Sequence, residues 1–251
     1  MCKMFIRLCH LAGHRADAVR QRREPGPRSG ARRHVTPRVG VLQERWLGMR
    51  IYGGMTAEER IASRRRRIIE SATELFSSQG YANTSIRALL RHAGLQDRYF
   101  TESFSSLDDV MAAIVGDIWE EQLTRCAACI TPERTPREQA RAMIEVLVST
   151  TTADPRRGRV KFVEALSAGP LTAGVRQQGL RRMSALVEQL LTGSRADREV
   201  NTVAMSMAIV GGVGQLLMNW VDGTLHVSSD ELVEQGFLLF EAVAGWAPPE
   251  P

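Results

Sequence analysis

The chain has 251 residues, 43% of them hydrophobic and 24% charged, with a formal net charge of +5. That composition suits a soluble protein with one or two cored domains, and four cysteines are too few for a disulfide scaffold of this length. Residues 1–54 carry 12 bases against three acids, whereas the other 197 residues carry 21 bases and 25 acids, which leaves only a local patch of the body to meet a polyanion.

Residues 1–54 are rich in Arg, Gly and Pro, as in the RREPGPRSGARRHVTPR run, and lack a sustained apolar period. They are expected to be a disordered Arg-rich extension. Two readings stand open: a basic arm that meets DNA phosphates, or translation that begins at Met49 or Met55. Lys3, Arg7, His10, His14 and Arg15 interrupt any signal-peptide core, which points to the cytoplasm. Lys3 and Lys161 are the only lysines, a skew that fits a GC-rich genome.

After Met55 the pattern is helical. Ile68, Ala72, Leu75 and Phe76 give a first helix its buried stripe, and Gly80 ends it. Thr84 is the expected N-cap of a short second helix with Ile86, Leu89, Leu90 and Ala93 inward, broken by Gly94. A third short helix sets Phe100 and Phe104 one turn apart. Ser106 opens a longer helix, with Asp108 and Asp109 in its first turn and Thr131-Pro132 at its end. Thr135-Pro136-Arg137-Glu138 starts the next, and Asp154-Pro155 another that stops at Gly169-Pro170. Further helices are expected over about 173–192, from Ser194 to about Asp222, and from Ser228 to about Ala244. No segment alternates as a strand, so the fold class is all-α with about nine helices.

The motif that carries function is TSIRALLRHAGLQDRYFTESF, residues 84–104. A short helix, a glycine turn and a second short helix make a helix-turn-helix, whose second helix presents its first residues to base edges in the major groove. The expected DNA-facing set over 85–104 is Thr84, Ser85, Arg87, Arg91, Gln96, Asp97, Arg98, Tyr99, Thr101 and Glu102. Arg98 suits guanine or phosphate and Gln96 suits adenine. Arg64, Arg65, Arg66 and Arg67 are expected to lie over the DNA backbone.

The run from Arg67 to Ile114 resembles the tetracycline-repressor-type (TetR) regulators: the apolar helix, the Gly-Tyr corner, Thr-Ser-Ile-Arg, Ala-Gly-Leu and the closing Phe-Ser. Its RYFTESF form is similar to actinobacterial members. The chain departs from the family in having Gln96 for a capping Ser or Thr, Thr101 for a phosphate-binding Tyr, and Leu107 for Lys. The resemblance implies a helix-turn-helix domain over 60–110 and a helical ligand-binding and dimerisation domain over 111–246. It implies a ligand-released repressor of a near-palindromic operator, with DNA, a second copy and a small apolar or amphipathic effector as partners. It implies no enzyme, no cofactor and no membrane.

The expected effector cavity is lined by Trp119, Met143, Phe162, Met183 and Trp220, with Glu164, Gln177 and Asn219 as polar candidates. Residues 200–221 contain no charge, which suits a membrane span or a helix buried on all sides; Asn201, Gln215, Asn219 and the glycines favour the second. Gly211, Gly212, Leu216, Leu232, Gly236, Leu239 and Phe240 are the expected dimer interface. Cys126 and Cys129 have a zinc-like spacing without further ligands nearby, so they read as packing residues with redox sensing as the minor alternative, and no metal is expected. A membrane-anchored helical protein and an all-α enzyme are the competing readings; no GxSxG, HExxH or phosphate-loop motif supports the enzyme.

Overall fold

Capping chemistry sets the helix starts. The computed structural model describes residues 55–194 and 201–245, so the amino-terminal extension lies outside the described residues. Thr56 and Glu59 form a capping box for α1 (Ala57–Gln79), which ends at Gly80 with φ +93°. Ser85 caps α2 (Ile86–Ala93) by accepting from the Ala88 N–H at 3.2 Å. The cap therefore falls one residue after the expected Thr84. Thr84 is buried, and its hydroxyl donates to the Gly80 carbonyl at 2.9 Å. Gly94 closes α2 in the left-handed region, with the Gly94 and Leu95 N–H groups bonded to the Arg91 and Leu90 carbonyls.

The third expected helix is a 3-10 turn, Asp97–Tyr99, followed by turns to Phe104. Gln96 makes no side-chain cap, and the Tyr99 and Phe100 N–H groups reach back three residues, to Gln96 and Asp97. An uncapped first turn tightens in this way. Phe100 and Phe104 anchor it, buried with ring centroids 6.0 Å apart.

Ser106 caps α3 (Leu107–Ala127), which ends four residues before the expected Thr131. The Thr135–Glu138 box starts α4 (Pro136–Ala153), and Asp154 starts α5 (Pro155–Phe162). The expected helix to Gly169 is broken: α5 gives way to a 3-10 turn, Glu164–Leu166. Then α6 (Pro170–Ser194) runs through the serine expected to start its successor; Asn201 instead caps α7 (Thr202–Val221). The Ser228–Glu231 box opens α8 (Ser229–Ala244). Among the described residues there are thus eight α-helices and two 3-10 turns.

Helix α3 packs on α6, α6 on α7, and α8 on both α4 and α7, while α1 rests on α2, α3 and α5. One continuous core runs from Ile68 and Phe76 through Met111, Trp119 and Met183 to Phe240. Asp108 ties the first turn of α3 to that of α6: it accepts from the Leu171 N–H at 2.9 Å and the Thr172 hydroxyl at 2.6 Å. Burial works to raise its carboxyl, but the hydrogen bonds from Thr172, Leu171 and Gly169 outweigh it and hold it below the usual range.

Two α6 glycines differ in surroundings. A Cβ at Gly179 would lie 2.3 Å from the Trp119 ring, whereas one at Gly174 meets nothing within 4 Å. Gly179→Ala is expected to destabilise the protein by about 1–3 kcal/mol through overpacking. Gly174→Ala is expected to stabilise it by about 0.5–1 kcal/mol through helix propensity. Urea denaturation of the two variants checks both signs.

Candidate nucleic-acid interface and effector cavity

On the helix-turn-helix, Ser85, Arg87, Arg91, Gln96, Asp97, Arg98, Thr101 and Glu102 are exposed, Tyr99 is half-buried and Thr84 is buried. Thr84 is therefore a brace of the corner rather than a surface group. Arg98 donates to the Tyr99 hydroxyl at 2.9 Å, and the Thr101 hydroxyl donates to the Arg98 carbonyl at 3.2 Å.

The four arginines expected over the DNA backbone divide. Arg64 grips Glu102 Oε2 through Nε at 2.9 Å and Nη2 at 2.7 Å, and stacks 4.5 Å from the Tyr99 ring centre. Arg65 donates to the Ser103 carbonyl at 3.0 Å and lies 4.2 Å from the Phe104 ring centre. Arg67 donates to the Ala93 carbonyl at 2.6 Å. These three staple α1 to the turn and to the element that follows it. Arg66, Arg87 and Arg91 are exposed and have no protein partner among the described residues. Arg64 also neutralises Glu102, whose carboxylate would otherwise repel phosphate. Sequence patterning missed this because an arginine run looks alike whether its members bind inward or outward.

A cavity of about 250 Å³ opens in the carboxy-terminal half. Of the five expected lining residues, Trp119, Met143, Phe162 and Met183 lie on its wall. Trp220 does not; its Nε1 donates to the Val227 carbonyl at 2.9 Å and pins the turn between α7 and α8. The expected polar candidates also sit elsewhere. Gln177 is exposed, Asn219 accepts from Gln215 at 2.9 Å, and Glu164 turns toward the helix-turn-helix. Glu164 accepts from the Tyr81 N–H at 2.9 Å and pairs with Arg159 at 3.4 Å.

The ionisable groups on the cavity wall are Lys161 and Arg176, and no acid is among the lining residues. Lys161 is 5% exposed. Its Nζ lies 3.5 Å from the Trp119 ring centre and 4.9 Å from that of Phe162, and donates to Gln122 Oε1. Burial pushes the amine down to about 7, against a weaker upward pull from Cys126. Trp119 Nε1 is buried with no hydrogen-bond partner among the described residues. The signal for Lys161 was present in the sequence: a lone lysine in an arginine-dominated body, beside Val160 and Phe162.

Cys126 and Cys129 are buried free thiols, and burial with the neighbouring Cys129 pushes Cys126 up to about 12. A neutral, enclosed thiol is a poor nucleophile and a poor metal ligand. No group of three or more His, Cys, Asp or Glu suited to a metal occurs among the described residues.

Several expected dimer residues face inward. Leu232, Gly236 and Phe240 are buried within the subunit, and Gly212 packs beneath Leu239. Leu216 and Leu239 are half-buried. Gly211 is exposed and, like Gly214, has open space where a side chain would stand. The large apolar side chains exposed on these two helices are Val203 and Met207 on α7 and Leu238 on α8, and Gly211, one turn beyond Met207, also lines the cavity. Helix α7 is long and apolar enough to cross a membrane. Within the subunit it buries only Ser206, Ile209, Val213 and Leu217, so it is not enclosed on all sides there.

Residues 68–114 match the family model described as bacterial regulatory proteins, tetR family. No curated protein matches the chain. Among solved structures, a tetR-family regulatory protein from Rhodococcus RHA1 is similar at 15% identity and TM-score 0.63, covering 74% of this chain and 98% of that one. The fatty acid degradation regulator FadR from Bacillus halodurans is similar at 16% identity and TM-score 0.64, covering 73% and 96%. FadR from Bacillus subtilis in complex with stearoyl-CoA is similar at 15% identity and TM-score 0.62, covering 73% and 99%.

The lysine has a pH signature. Unfolded, Lys161 titrates near 10.5; folded, near 7, so between these values the unfolded chain binds more protons and stability rises with pH. Below about 7 both states are protonated and the penalty is constant. Lys161→Met removes it. The variant is expected to exceed the parent in stability at pH 7, with the margin narrowing toward pH 10, as read by urea denaturation across that range.

Proposed function

We propose that the chain, which carries the DNA-binding domain of the tetR-family regulators at residues 68–114, is a dimeric transcriptional repressor released from its operator by an effector. The observation that carries the reading is the pairing of an exposed Gln96–Arg98 edge on a helix-turn-helix with an apolar cavity in the same chain. Two copies would place their 3-10 turns in successive major grooves about 34 Å apart on a near-palindromic site. Arg98 and Gln96 read bases; Arg66, Arg87 and Arg91 meet phosphates.

The second copy docks on the face formed by Val203, Met207, Gly211 and Leu238. Met207 and Leu238 are 58% and 53% exposed in the single subunit, and Gly211 and Gly214, which also line the cavity, leave open space there, so the second copy would pack beside the cavity mouth. This docking accounts for the apolarity of α7 without a membrane, and the protein works in the cytoplasm as a binding protein rather than an enzyme.

The segment from α5 to the following 3-10 turn supports a route of release. Lys161, Phe162 and Leu166 touch the cavity, while Glu164 holds the Tyr81 corner. At the other end, Arg156 pairs with Glu70 and Glu74 of α1, each at 3.0 Å. An effector that shifts this segment changes the angle of α1 and the half-site spacing, and DNA is released.

Anisotropy titration of the dimer against DNA upstream of its own gene, with salt varied, tests the reading. Arg98→Ala is expected to abolish discrimination against competitor DNA while sedimentation still shows a dimer; unchanged operator affinity would refute the orientation of the turn. Arg66→Ala is expected to lower the salt slope by about 1 without changing specificity. Glu164→Gln is expected to keep operator binding and blunt release by effector.

A further inference from the structure

We propose that the cavity selects amphiphiles with an apolar chain and a carboxylate head, and that the head seats against the Lys161 ammonium. The inference rests on the effector-released reading above and adds the chemical class of the effector.

The wall is apolar except at a few points, and its charged points are both cations. Arg176 is half-buried, and neither it nor Lys161 has a carboxylate within ion-pairing distance among the described residues. An ammonium has three donors. On Lys161 one goes to Gln122 Oε1 and the Trp119 face covers another side, which leaves donor capacity for a ligand. Gln122 is itself fixed, since its Nε2 donates to Thr150 Oγ1 at 2.9 Å. Trp119, on the same wall, brings a second buried N–H without an acceptor. A buried indole N–H without an acceptor and an ammonium with donors to spare are costly alone, and an anionic oxygen pair on the same wall suits both. A neutral hydroxyl accepts a hydrogen bond here but brings no charge to the ammonium, and a cationic head meets like charge.

A volume of about 250 Å³ falls just short of the roughly 300–1,000 Å³ of drug-sized sites, so the chain is of medium length. The lysine is also the sole lysine of residues 55–251, where the other 20 bases are arginine. A guanidinium cannot shed its proton in the empty cavity, whereas an amine can, and it recovers its charge when a carboxylate arrives.

The test is calorimetric titration of the full-chain dimer at pH 7 with octanoate, octan-1-ol, octyltrimethylammonium and octanoyl-CoA, read in parallel by operator release. Octanoate is expected to bind most tightly, and the trimethylammonium not at all. Lys161→Met is expected to weaken octanoate about 10- to 100-fold, the worth of a charge-assisted hydrogen bond. The same variant is expected to hold octanol within about threefold, which shows that the cavity is intact.

The affinity for octanoate is expected to be level between about pH 6 and 7, to fall above that as the free amine loses its proton, and to fall below about pH 5 as the ligand's own carboxyl takes one up. The groups that face Lys161 are these: on α3, Gln122, Cys126, whose thiol burial pushes up to about 12, and Glu121, which pairs with Arg157 at 2.8 Å and with Arg125; on α6, Arg176; on α4, Thr150 and Thr151; α7 has no ionisable side chain.

Equal binding of octanoate by parent and Lys161→Met, or a preference for octanol, overturns the proposal while leaving effector-released repression standing. Lys161-dependent binding of octanoyl-CoA without binding of octanoate also overturns it, since the anion would then be a phosphate. Loss of specific operator binding in the unliganded parent would sink the regulator reading itself.

Discussion

A hydrogen bond from the Tyr81 N–H to the Glu164 carboxylate ties the corner of the helix-turn-helix to the segment whose Lys161, Phe162 and Leu166 line the cavity. The Gly80–Tyr81 corner ends α1, with Gly80 at φ +93° and its N–H bonded to the Phe76 carbonyl. A carboxylate oxygen already stands 3.4 Å from where a Gly80 side chain would begin. Because Glu164 follows Lys161 and Phe162 by only a few residues, any change in how those two side chains pack is felt at the corner. The segment is short enough to have little slack and is held at its other end by Arg156.

Three arginines of the α1 cluster work inward: Arg64, Arg65 and Arg67 are spent inside the small helix-turn-helix unit, on Glu102, the Ser103 carbonyl and the Ala93 carbonyl. These contacts complement a recognition element that lacks a side-chain cap. A 3-10 turn with no N-cap at Gln96 is weak by itself. Buried Phe100 and Phe104 and the guanidinium groups of Arg64 and Arg65 hold it against α1, while Arg67 holds the end of α2.

Much of the fold was legible. Caps at Ser106, Thr135, Asp154 and Ser228 use local chemistry, and local chemistry survives folding. Each of the nine expected helices has a counterpart, the third as a 3-10 turn. The errors fall where long-range contacts decide. Thr84 looked like a cap, but Gly80 folds back to claim its hydroxyl. Ser194 has a capping residue's chemistry, yet α6 runs through it and Asn201 caps α7. At the site, four of five cavity residues followed from apolar size and helical spacing, since large side chains on facing stripes meet in the interior. Trp220 has the same size, but its indole N–H found a carbonyl outside. Inward and outward glycines of α7 cannot be told apart until α8 is in place, as Gly211 and Gly212 illustrate.

The scarcity of lysine reaches into how this protein can be handled. Within the folded body the only side-chain amine is enclosed, so amine-directed dyes, cross-linkers and lysine-specific proteases meet almost nothing on that surface. An unprotonated amine near neutral pH is at the same time a good nucleophile. A small, permeant acylating reagent would therefore mark one position in the body, and the rate of that labelling would report whether the enclosure is filled.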